Sequence, residues 1–424
     1  MSCRWFFLFL LIACCSHAVA QITNIRLSET AADATRDPSI AINPKNPLNI
    51  VAASARDQVY VTNDGGKTWK SQTLSSTFGV DGAPVVVADS KGTFYLFHLT
   101  GSGDGEENPN SIICQMSSDG GATWDGGTPV VPGPGKGHHK PWASIDGKGN
   151  VHVTWTQADK LASSDSTCQS VVMLSSSSNG KKWTKPVQIS NLPGDCSDNG
   201  NTAAGAVSGM SDDKKLYVAW SNRNKIYLDR SFDGGGMWLS NDIVVGDHPG
   251  GWKMVVPGHA DCTGMPVLVV DRSKAQSKGL IYLVWADQRS GENNTDIWFM
   301  RSNNFGDYWS TPMKVGGDQN DKHQYMPRMT IDNTTGYLYI VYYDRSDYDD
   351  NQTDVFLAYS RDAGSTFKTI KISESPFIPD ESASLGDYVN ISAHKGVITP
   401  IWTRMDEGKT SIWTAVIRED QLPK

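Results

Sequence analysis

The stretch SSDGGATW at residues 117–124 decides the fold, because related phrases return five more times along the chain. The shared pattern is Ser-x-Asp-x-Gly-x-x-Trp, and we call each copy a box. A phrase that recurs in this way predicts stacked copies of one supersecondary unit. The six boxes are 62–69 (TNDGGKTW), 117–124 (SSDGGATW), 176–183 (SSSNGKKW), 231–238 (SFDGGGMW), 302–309 (SNNFGDYW) and 360–367 (SRDAGSTF).

Each position of a box suits a tight turn between two strands. The Ser and Asp side chains bond nearby backbone groups, Gly supplies positive φ, and the closing aromatic ring anchors the turn. On this reading Ser178 and Asn304 replace the Asp in the third and fifth boxes. We predict that those two turns are less rigid than the other four.

In these boxes the chain resembles the sialidase-like β-propellers, which carry the same pattern as the repeated Asp-box. The resemblance covers nearly all of the chain after the first twenty residues. It implies that the boxes lie between the third and fourth strands of the blades, on the face away from the active site. The boxes therefore indicate architecture and not catalysis.

A second recurring element is a short polar segment that opens an apolar strand. Seven opening segments occur, one more than the boxes, so we predict an all-β propeller of seven four-stranded antiparallel blades; a six-bladed ring is the alternative. Residues 22–27 alternate apolar and polar side chains, and we predict that they pair with the last blade and close the ring. The opening segments are 36–38, 81–84, 138–141, 199–202, 261–266, 323–327 and 386–388.

The first twenty residues have the features of a secretory signal. Arg4 precedes an apolar run at 5–13, and small residues at 18–20 form a cleavage site. We therefore expect a signal peptide at 1–20 and one propeller domain at 21–424, exported from the cytoplasm. A lipid anchor through Cys14 is the alternative. No later run approaches the roughly 20 apolar residues of a membrane span.

Cysteine count and charge restrict the partners. Four cysteines follow the signal, Cys114, Cys168, Cys196 and Cys262, and their even number predicts two disulfides among three possible pairings. A net charge of −8 and the lack of a basic run argue against nucleic acid. We expect a monomer with no cofactor and no metal.

Candidate site residues should gather on one face. Strands alternate in direction, so the opening segments and the loops between second and third strands share the face opposite the boxes. Acids, histidines, tyrosines and arginines that converge at a pore mouth are what a glycan site needs. The candidates are Arg36, Asp37, Asp81, His139, Lys140, Asp261, His323, Tyr325, Asp387 and Tyr388 from the opening segments, and Asp57, Arg289, Arg345 and Arg404 from the loops.

The resemblance implies an exo-acting, sialidase-like glycoside hydrolase for acidic glycans. Arg36, Arg289 and Arg345 would clamp a substrate carboxylate, Asp57 would be the acid/base group, and Tyr388 the nucleophile. In the family an Arg-Ile-Pro signature precedes the first box, whereas residues 36–38 read Arg-Asp-Pro. The remaining predicted substrate-binding residues are Asp37, Asp81, Lys140, Asp261, Asp387 and Arg404.

Two other functions fit the same residues. The chain also resembles seven-bladed propellers that act on uronate- or rhamnose-containing polysaccharides, some of them lyases. In that case His139 or His323 would accept the proton, Tyr325 or Tyr388 would donate one, and an arginine or Lys140 would neutralise a uronate carboxylate. The other alternative is a propeller that binds a glycan or a protein without catalysis. Adjacent residues of a strand point opposite ways, so at most one of His138 and His139 faces the pore.

Overall fold

Four-stranded antiparallel sheets account for nearly all of the regular structure. The structure is a computed structural model that describes residues 22–28, 35–100, 111–131, 135–316, 321–381 and 383–424. The predicted signal peptide and Cys14 lie outside these residues, so both assignments stay predictions. Across the part of the chain that the structure describes, no helix has the length and apolar character needed to cross a membrane.

The sheets form seven blades in chain order, which confirms the predicted propeller and excludes the six-bladed ring. Blades 1 to 3 are β2 (Ser39–Ile42), β3 (Ile50–Ser54), β4 (Gln58–Thr62), β5 (Lys70–Thr73); β6 (Gly82–Ala88), β7 (Phe94–Leu99), β8 (Ile112–Ser117), β9 (Thr128–Pro129); and β10 (Gly137–Ile145), β11 (Val151–Ala158), β12 (Ser170–Ser177), β13 (Val187–Gln188). Blades 4 and 5 are β14 (Ala204–Met210), β15 (Leu216–Asn222), β16 (Lys225–Ser231), β17 (Ile243–Asp247); and β20 (Val267–Val270), β21 (Ile281–Asp287), β22 (Asp296–Ser302), β23 (Met313–Lys314). Blade 6 is β24 (Gln324–Asp332), β25 (Tyr337–Asp344), β26 (Asp354–Ser360), β27 (Lys368–Lys371), and blade 7 contains β28 (Asn390–His394), β29 (Val397–Asp406) and β30 (Lys409–Thr414).

The chain's two ends meet in blade 7. Its fourth strand is β1 (Ile25–Arg26), which pairs with β30 so that Ile25 lies opposite Thr414. The short strand β31 (Ile417–Arg418) pairs with β29. The predicted closure by the N-terminal strand is therefore confirmed, and it removes the free edges that an open ring would expose.

The six boxes lie between the third and fourth strands of blades 1 to 6. In the second box, Ser117 Oγ donates to Asp119 Oδ1 at 2.8 Å and accepts from the Gly121 N–H at 2.9 Å. The N–H of Thr123 donates to Asp119 Oδ1 at 3.0 Å. Side chains therefore satisfy the backbone groups that a tight turn leaves open.

The third box corrects the sequence analysis. Its turn begins one residue later, at Ser177, whose Oγ accepts from the Gly180 N–H at 2.9 Å. Asn179 Oδ1 accepts from the N–H groups of Lys181 and Lys182, both at 2.9 Å. The residue that stands in for Asp is thus Asn179 and not Ser178, because this turn is one residue shorter than the others.

The seventh position of a box offers a test of turn stability. In three boxes it is a Thr whose hydroxyl donates to the Asp, at 2.6 Å for Thr68 and Thr123 and 2.7 Å for Thr366. In the fourth box it is Met237, which is 74% exposed. We expect Met237→Thr to add the missing bond to Asp233 and to raise Tm by about 1 °C in a thermal melt. Met237→Val, which has the same shape without the hydroxyl, is the control; an equal rise in both variants would contradict the explanation.

The innermost strands share a feature that positions the site. Asp37, Ala83, Lys140 and Met326 each precede a proline and have positive φ, between 47° and 53°. In blades 2, 3 and 6 the register between first and second strands shifts at this point. A bulge with a left-handed residue re-aims the side chains beside it. Asp37 and Lys140 therefore occupy equivalent places around the ring.

The centre of the ring is filled by side chains from five parts of the chain. Trp142, Trp252, Met265 and Tyr388 belong to one apolar cluster. The guanidinium of Arg328 lies 3.9 Å from the centre of the Trp142 ring. Trp142 of blade 3 contacts Arg328 of blade 6 and Tyr388 at the start of blade 7, and blade 3 neighbours neither of these blades. The cluster therefore lies at the axis of the propeller and closes the central channel.

The cysteines form one disulfide among the described residues, and the prediction of two is wrong. Cys168 and Cys196 are bonded, with their Cα atoms 5.7 Å apart. Cys114 and Cys262 are free and buried. They cannot pair because Cys114 lies on the third strand of blade 2, whereas Cys262 lies on the connection into blade 5.

Candidate functional site

A cavity of about 200 Å³ opens at the centre of the face opposite the boxes. Its walls come from the opening segments of blades 1, 3 and 7 and from a hairpin between blades 4 and 5. Five predicted site residues line it together, namely Arg36, Asp37, His139, Lys140 and Asp387. The other lining residues are Asp198, Trp252, Lys253, Thr263, Ser384 and Gly386.

Lys140 and Asp387 form an ion pair in this cavity. The Lys140 side chain is 5% exposed, and its ammonium lies 4.7 Å from the centre of the Trp252 ring. Burial raises the pKa of Asp387, but the charge of Lys140 and the hydrogen bond that Lys140 donates lower it by more, so that the pKa lies below its ordinary value. Thr263 Oγ1 donates to the Asp387 carbonyl oxygen at 2.6 Å and fixes the backbone. Asp387 is therefore held as a carboxylate.

Asp37 is another carboxyl group of the cavity, and its pKa is shifted upward, in the opposite direction to that of Asp387. Its Oδ1 accepts a hydrogen bond of 2.6 Å from the Asp387 N–H. Burial, and then the negative charge of Asp387, raise its pKa to about 6, against the weaker effects of that bond, Arg36 and Lys140. A Cβ at position 386 would lie 2.5 Å from Asp37 Oδ1, so Gly386 permits this approach. Asp37 thus keeps a proton at mildly acidic pH.

His139 is held neutral beside the ion pair. Burial and the charge of Lys140 lower its pKa to about 4, although Asp387 acts in the opposite direction. The neighbouring His138 points away and packs edge-on against Trp155, with ring centres 6.2 Å apart. As the alternation of a strand predicts, only one of the two histidines lines the cavity.

The three arginines of the predicted clamp are not brought together. Arg36 lines the cavity and its side chain is 46% exposed. Arg289 pairs instead with the buried Asp287, with Nη2 and Oδ2 2.6 Å apart. Arg345 is buried, and its Nε donates to Thr353 Oγ1 at 3.0 Å. Two of the three guanidinium groups therefore stabilise their own loops.

The two candidate tyrosines lie outside the cavity wall. Tyr388 is buried in the central cluster, where its hydroxyl donates to the Pro84 carbonyl oxygen at 3.1 Å. Burial raises the pKa of Tyr388 well above its ordinary value, and Asp37 adds to the effect. Tyr325 is also fully buried, and its hydroxyl lies 3.3 Å from Thr353 Oγ1. Arg345 and Arg328 lower the pKa values of Tyr325 and Tyr388, respectively, but burial outweighs both effects and keeps the two hydroxyls protonated.

Four further candidates, Asp57, Asp81, His323 and Arg404, do not line the cavity. His323 Nδ1 is 3.0 Å from Thr295 Oγ1, and Arg404 bonds Asp406. Asp57 is half-buried and accepts a bond of 2.8 Å from the neighbouring Gln58. Asp81 is exposed. Asp261 lies on the hairpin strand His259–Thr263, and its side chain is outside the described part of the structure.

The hairpin that forms one wall of the cavity was not predicted from the sequence. It consists of β18 (Lys253–Val256) and β19 (His259–Thr263) and precedes blade 5. Opening segment 261–266 is therefore divided between this hairpin and the start of blade 5. Lys253 Nζ lies 3.2 Å from Asp198 Oδ2, across the join between blades. The signal that would have revealed the hairpin is the length of chain between the fourth box and β20.

Metal binding finds no support in the geometry. Among the residues that the structure describes, no group of three or more His, Cys, Asp or Glu side chains is arranged to hold an ion. The cavity contains the Asp37 carboxyl group, which can hold a proton, the ionised carboxylate of Asp387 and the neutral imidazole of His139. Its three cationic side chains are Arg36, Lys140 and Lys253. This set can move a proton and bind hydroxyl or acidic groups.

Comparison with known proteins finds similarity in the folded structure but not in the sequence. No protein-family model and no curated protein matches the sequence. Among solved structures, the chain is similar to the α-L-arabinofuranosidase Arb93A of Fusarium graminearum in complex with an iminosugar inhibitor, with 11% identity, a TM-score of 0.53, and coverage of 95% of this chain and 99% of that one. It is also similar to a protein of unknown function from Dyadobacter fermentans, with 12% identity, a TM-score of 0.50, and coverage of 94% and 98%. The likeness is one of fold. At these identities it supports the propeller alone.

Proposed function

We propose that this protein is a glycoside hydrolase in which Asp37 is the general acid and Asp387 the ionised carboxylate. Cleavage of a glycosidic bond needs one carboxyl group that protonates the leaving oxygen and another that acts as base or nucleophile. The observation that carries the proposal is that Asp37 Oδ1 accepts a hydrogen bond from the backbone N–H of Asp387, in one cavity whose surroundings push the pKa values of the two carboxyl groups apart. Such divergence is the usual basis for assigning acid and base.

The shape of the cavity supports exo action. It measures about 200 Å³, and the cluster of Trp142, Trp252 and Tyr388 closes the channel of the propeller. A small cavity closed in this way accepts the end of a glycan and not its middle. Asp37 would protonate the glycosidic oxygen, Asp387 would act at the anomeric carbon, and Lys140 would keep Asp387 ionised.

The substrate class rests on the cations of the cavity. Arg36 is half exposed at the cavity and its Nε lies 3.6 Å from Asp37 Oδ2, so it could also reach a substrate carboxylate, whereas Arg289 and Arg345 bond groups outside the cavity. The sialidase-like family, suggested by the boxes, remains part of the proposal, but a single arginine in the cavity does not make the clamp that sialic acid would require. Arabinofuranosides and glycans with terminal uronic acids are therefore included as substrates to test.

A lyase is the second candidate, and His139 favours it. A neutral imidazole beside a buried ammonium suits proton abstraction next to a carboxylate that the cation neutralises. The candidate tyrosine donors, Tyr325 and Tyr388, have their hydroxyls turned to other partners. The hydrolase is therefore the better supported of the two.

Export of the enzyme is also part of the proposal. The bond between Cys168 and Cys196 is typical of proteins outside the cytoplasm. Together with the predicted signal at 1–20, it supports action on a glycan outside the cell.

The test is turnover of a substrate panel by the protein lacking residues 1–20, with Asp387→Asn as the site variant. Arabinofuranosides, sialosides and uronate-containing polysaccharides are assayed for released sugar and for the absorbance of new double bonds. We expect released sugar with no new absorbance, and a loss of at least about 100-fold in Asp387→Asn. New absorbance would establish the lyase instead. Full activity in Asp387→Asn would overturn the proposed site, and binding without turnover would leave a propeller that recognises glycans only.

A further inference from the structure

A second and larger cavity, of about 470 Å³, lies on the box face between blades 3 and 4. The turn between β10 and β11, the third box, the turn between β14 and β15, and the start of the fourth box form its walls. All of these connections are on the side of the propeller opposite Asp37 and Asp387. The cavity is therefore separate from the proposed catalytic site.

The charged side chains that line this second cavity are mostly positive, whereas the whole protein has a net charge of −8. Four lysines and two aspartates line it. Lys215 pairs with Asp213, while Lys148, Lys182 and Lys214 have no ion pair among the described residues. An unpaired group of three ammonium ions on an acidic protein creates a local attraction for anions.

The side chains of the two aspartates accept hydrogen bonds from backbone N–H groups of their own turns. Asp146 Oδ1 accepts from the Asn150 N–H at 2.8 Å, and Asp233 Oδ1 accepts from the Met237 N–H at 3.0 Å. Their outward surfaces can still accept bonds from hydroxyl groups. The wall thus combines cations with acceptors, which suits a ligand that carries both acidic groups and hydroxyls.

A buried histidine provides an independent indication of a ligand. His152 lines the cavity and is only 6% exposed. Its Nδ1 lies 2.7 Å from Ser176 Oγ, while its Nε2 is buried and has no hydrogen-bond partner among the described residues. A buried polar atom without a partner is costly, and a bound ligand or a water would satisfy it.

We propose that this cavity binds a short segment of an acidic polysaccharide. Lys148, Lys182 and Lys214 would hold its carboxylate or sulfate groups, and Asp146 and Asp233 would accept bonds from its hydroxyls. The half-buried Trp183 offers an apolar wall for a sugar face. A sugar acid presents acidic groups to the lysines and hydroxyl donors to the two carboxylates, and so uses both kinds of group on the wall. The site would anchor the protein on its polymer while the opposite face stays free.

The test measures binding of three oligosaccharides to the protein lacking residues 1–20 by titration calorimetry. An oligogalacturonate presents carboxylates, a heparin oligosaccharide presents sulfates, and a neutral arabinan oligosaccharide presents neither. The site variant is Lys148→Ala/Lys214→Ala. The matched control is Lys67→Ala/Lys91→Ala, which removes the same charge from exposed positions on the same face of blades 1 and 2.

We expect an acidic oligosaccharide to bind, the site variant to weaken Kd at least about tenfold, and the control to change it less than twofold. The stronger of the two acidic probes tells whether carboxylate or sulfate is preferred. Equal weakening in both variants would show unspecific charge attraction and overturn the proposal. So would loss of binding in Arg36→Ala, which would place the ligand in the central cavity. Absence of binding by both acidic probes would also overturn it and leave a protein partner as the ligand class to examine.

Discussion

Asp37→Asn is expected to lower kcat/KM by about 10²–10⁴ on a glycoside with a poor leaving group. The amide oxygen still accepts the bond from the Asp387 N–H, but the side chain cannot donate the proton that the leaving oxygen requires. A substrate with an activated phenol as leaving group needs no such proton. We therefore expect it to retain most of its rate, and the ratio of the two rates measures the role of Asp37 as acid.

The substitution should leave the fold intact. Asp37 has a φ of 53°, in the left-handed region that Asn tolerates better than most residues. Asn also has the size of Asp and keeps the acceptor atom. A loss of activity without a lower Tm would therefore report chemistry and not unfolding.

The pH profile of the unmodified protein gives a second readout. Activity requires Asp37 protonated, so kcat/KM should fall as pH rises through about 6. It also requires Asp387 ionised, so kcat/KM should fall at acidic pH, below the ordinary carboxyl pKa because Lys140 lowers that of Asp387. In Asp37→Asn the alkaline limb near pH 6 should disappear from the residual activity.

The pH dependence of the free energy of unfolding should also show the raised pKa of Asp37. The folded pKa of Asp37 is about 6 against an ordinary 3.8, so between these values the folded protein holds a proton that the unfolded chain has lost. Stability therefore falls as pH rises through this window, by about 3 kcal/mol in total. Asp37→Asn should abolish this fall in urea unfolding measured at pH 4 and pH 7.

Asp57→Asn is the matched control for these measurements. The sequence assigned the acid/base role to Asp57, which lies outside the cavity and contacts Gln58. We expect this variant to keep its activity and its pH profile. Loss of the alkaline limb in Asp57→Asn and not in Asp37→Asn would return the role to the residue that the sequence suggested.

The fold was predictable because its signals are local. The turn at 117–124 contains within itself the side chains that bond its backbone, so its sequence alone indicates a strand–turn–strand unit. Counting the opening segments and boxes then led to seven blades and to closure by Ile25–Arg26. The error in the third box came from counting back from Trp183, which hides a turn that is one residue shorter.

The site was predictable only in part, because its contacts join distant parts of the chain. Asp37 and Asp387 were both candidates, but the bond between them spans 350 residues and depends on ring closure. The role of Arg289 depended on a neighbour, Asp287, that no motif marks as its partner. The hairpin that supplies Lys253 follows no repeat. Sequence therefore suggested which face to search, whereas the pKa differences depend on burial and on charged neighbours that only the folded structure shows.

The pair of Lys140 and Asp387 should give the largest effect on stability. Asp387→Asn leaves the Lys140 ammonium, 5% exposed, without its counter-charge, and we expect a loss of about 3–5 kcal/mol in the free energy of unfolding. Lys140→Met leaves a carboxylate whose side chain is 28% exposed, so water replaces part of the lost interaction and the loss should be smaller, about 2 kcal/mol. The double variant should lose no more than Lys140→Met, because it leaves neither an ammonium nor a carboxylate without its counter-charge.

Urea unfolding of the two single variants and the double variant completes the cycle, with an expected coupling of at least about 3 kcal/mol. Additivity within about 0.5 kcal/mol would show that the pair does not interact. Lys253→Met is the control within the same cavity; its side chain is 34% exposed and pairs with Asp198, so the loss should stay below about 1 kcal/mol.

The pH profile supplies a test of function. Lys140 lowers the pKa of Asp387, so in Lys140→Met the acidic limb should move to higher pH, and activity near pH 4 should fall more than activity near pH 6. An unmoved acidic limb would mean that Asp387 is not the carboxylate whose ionisation activity requires.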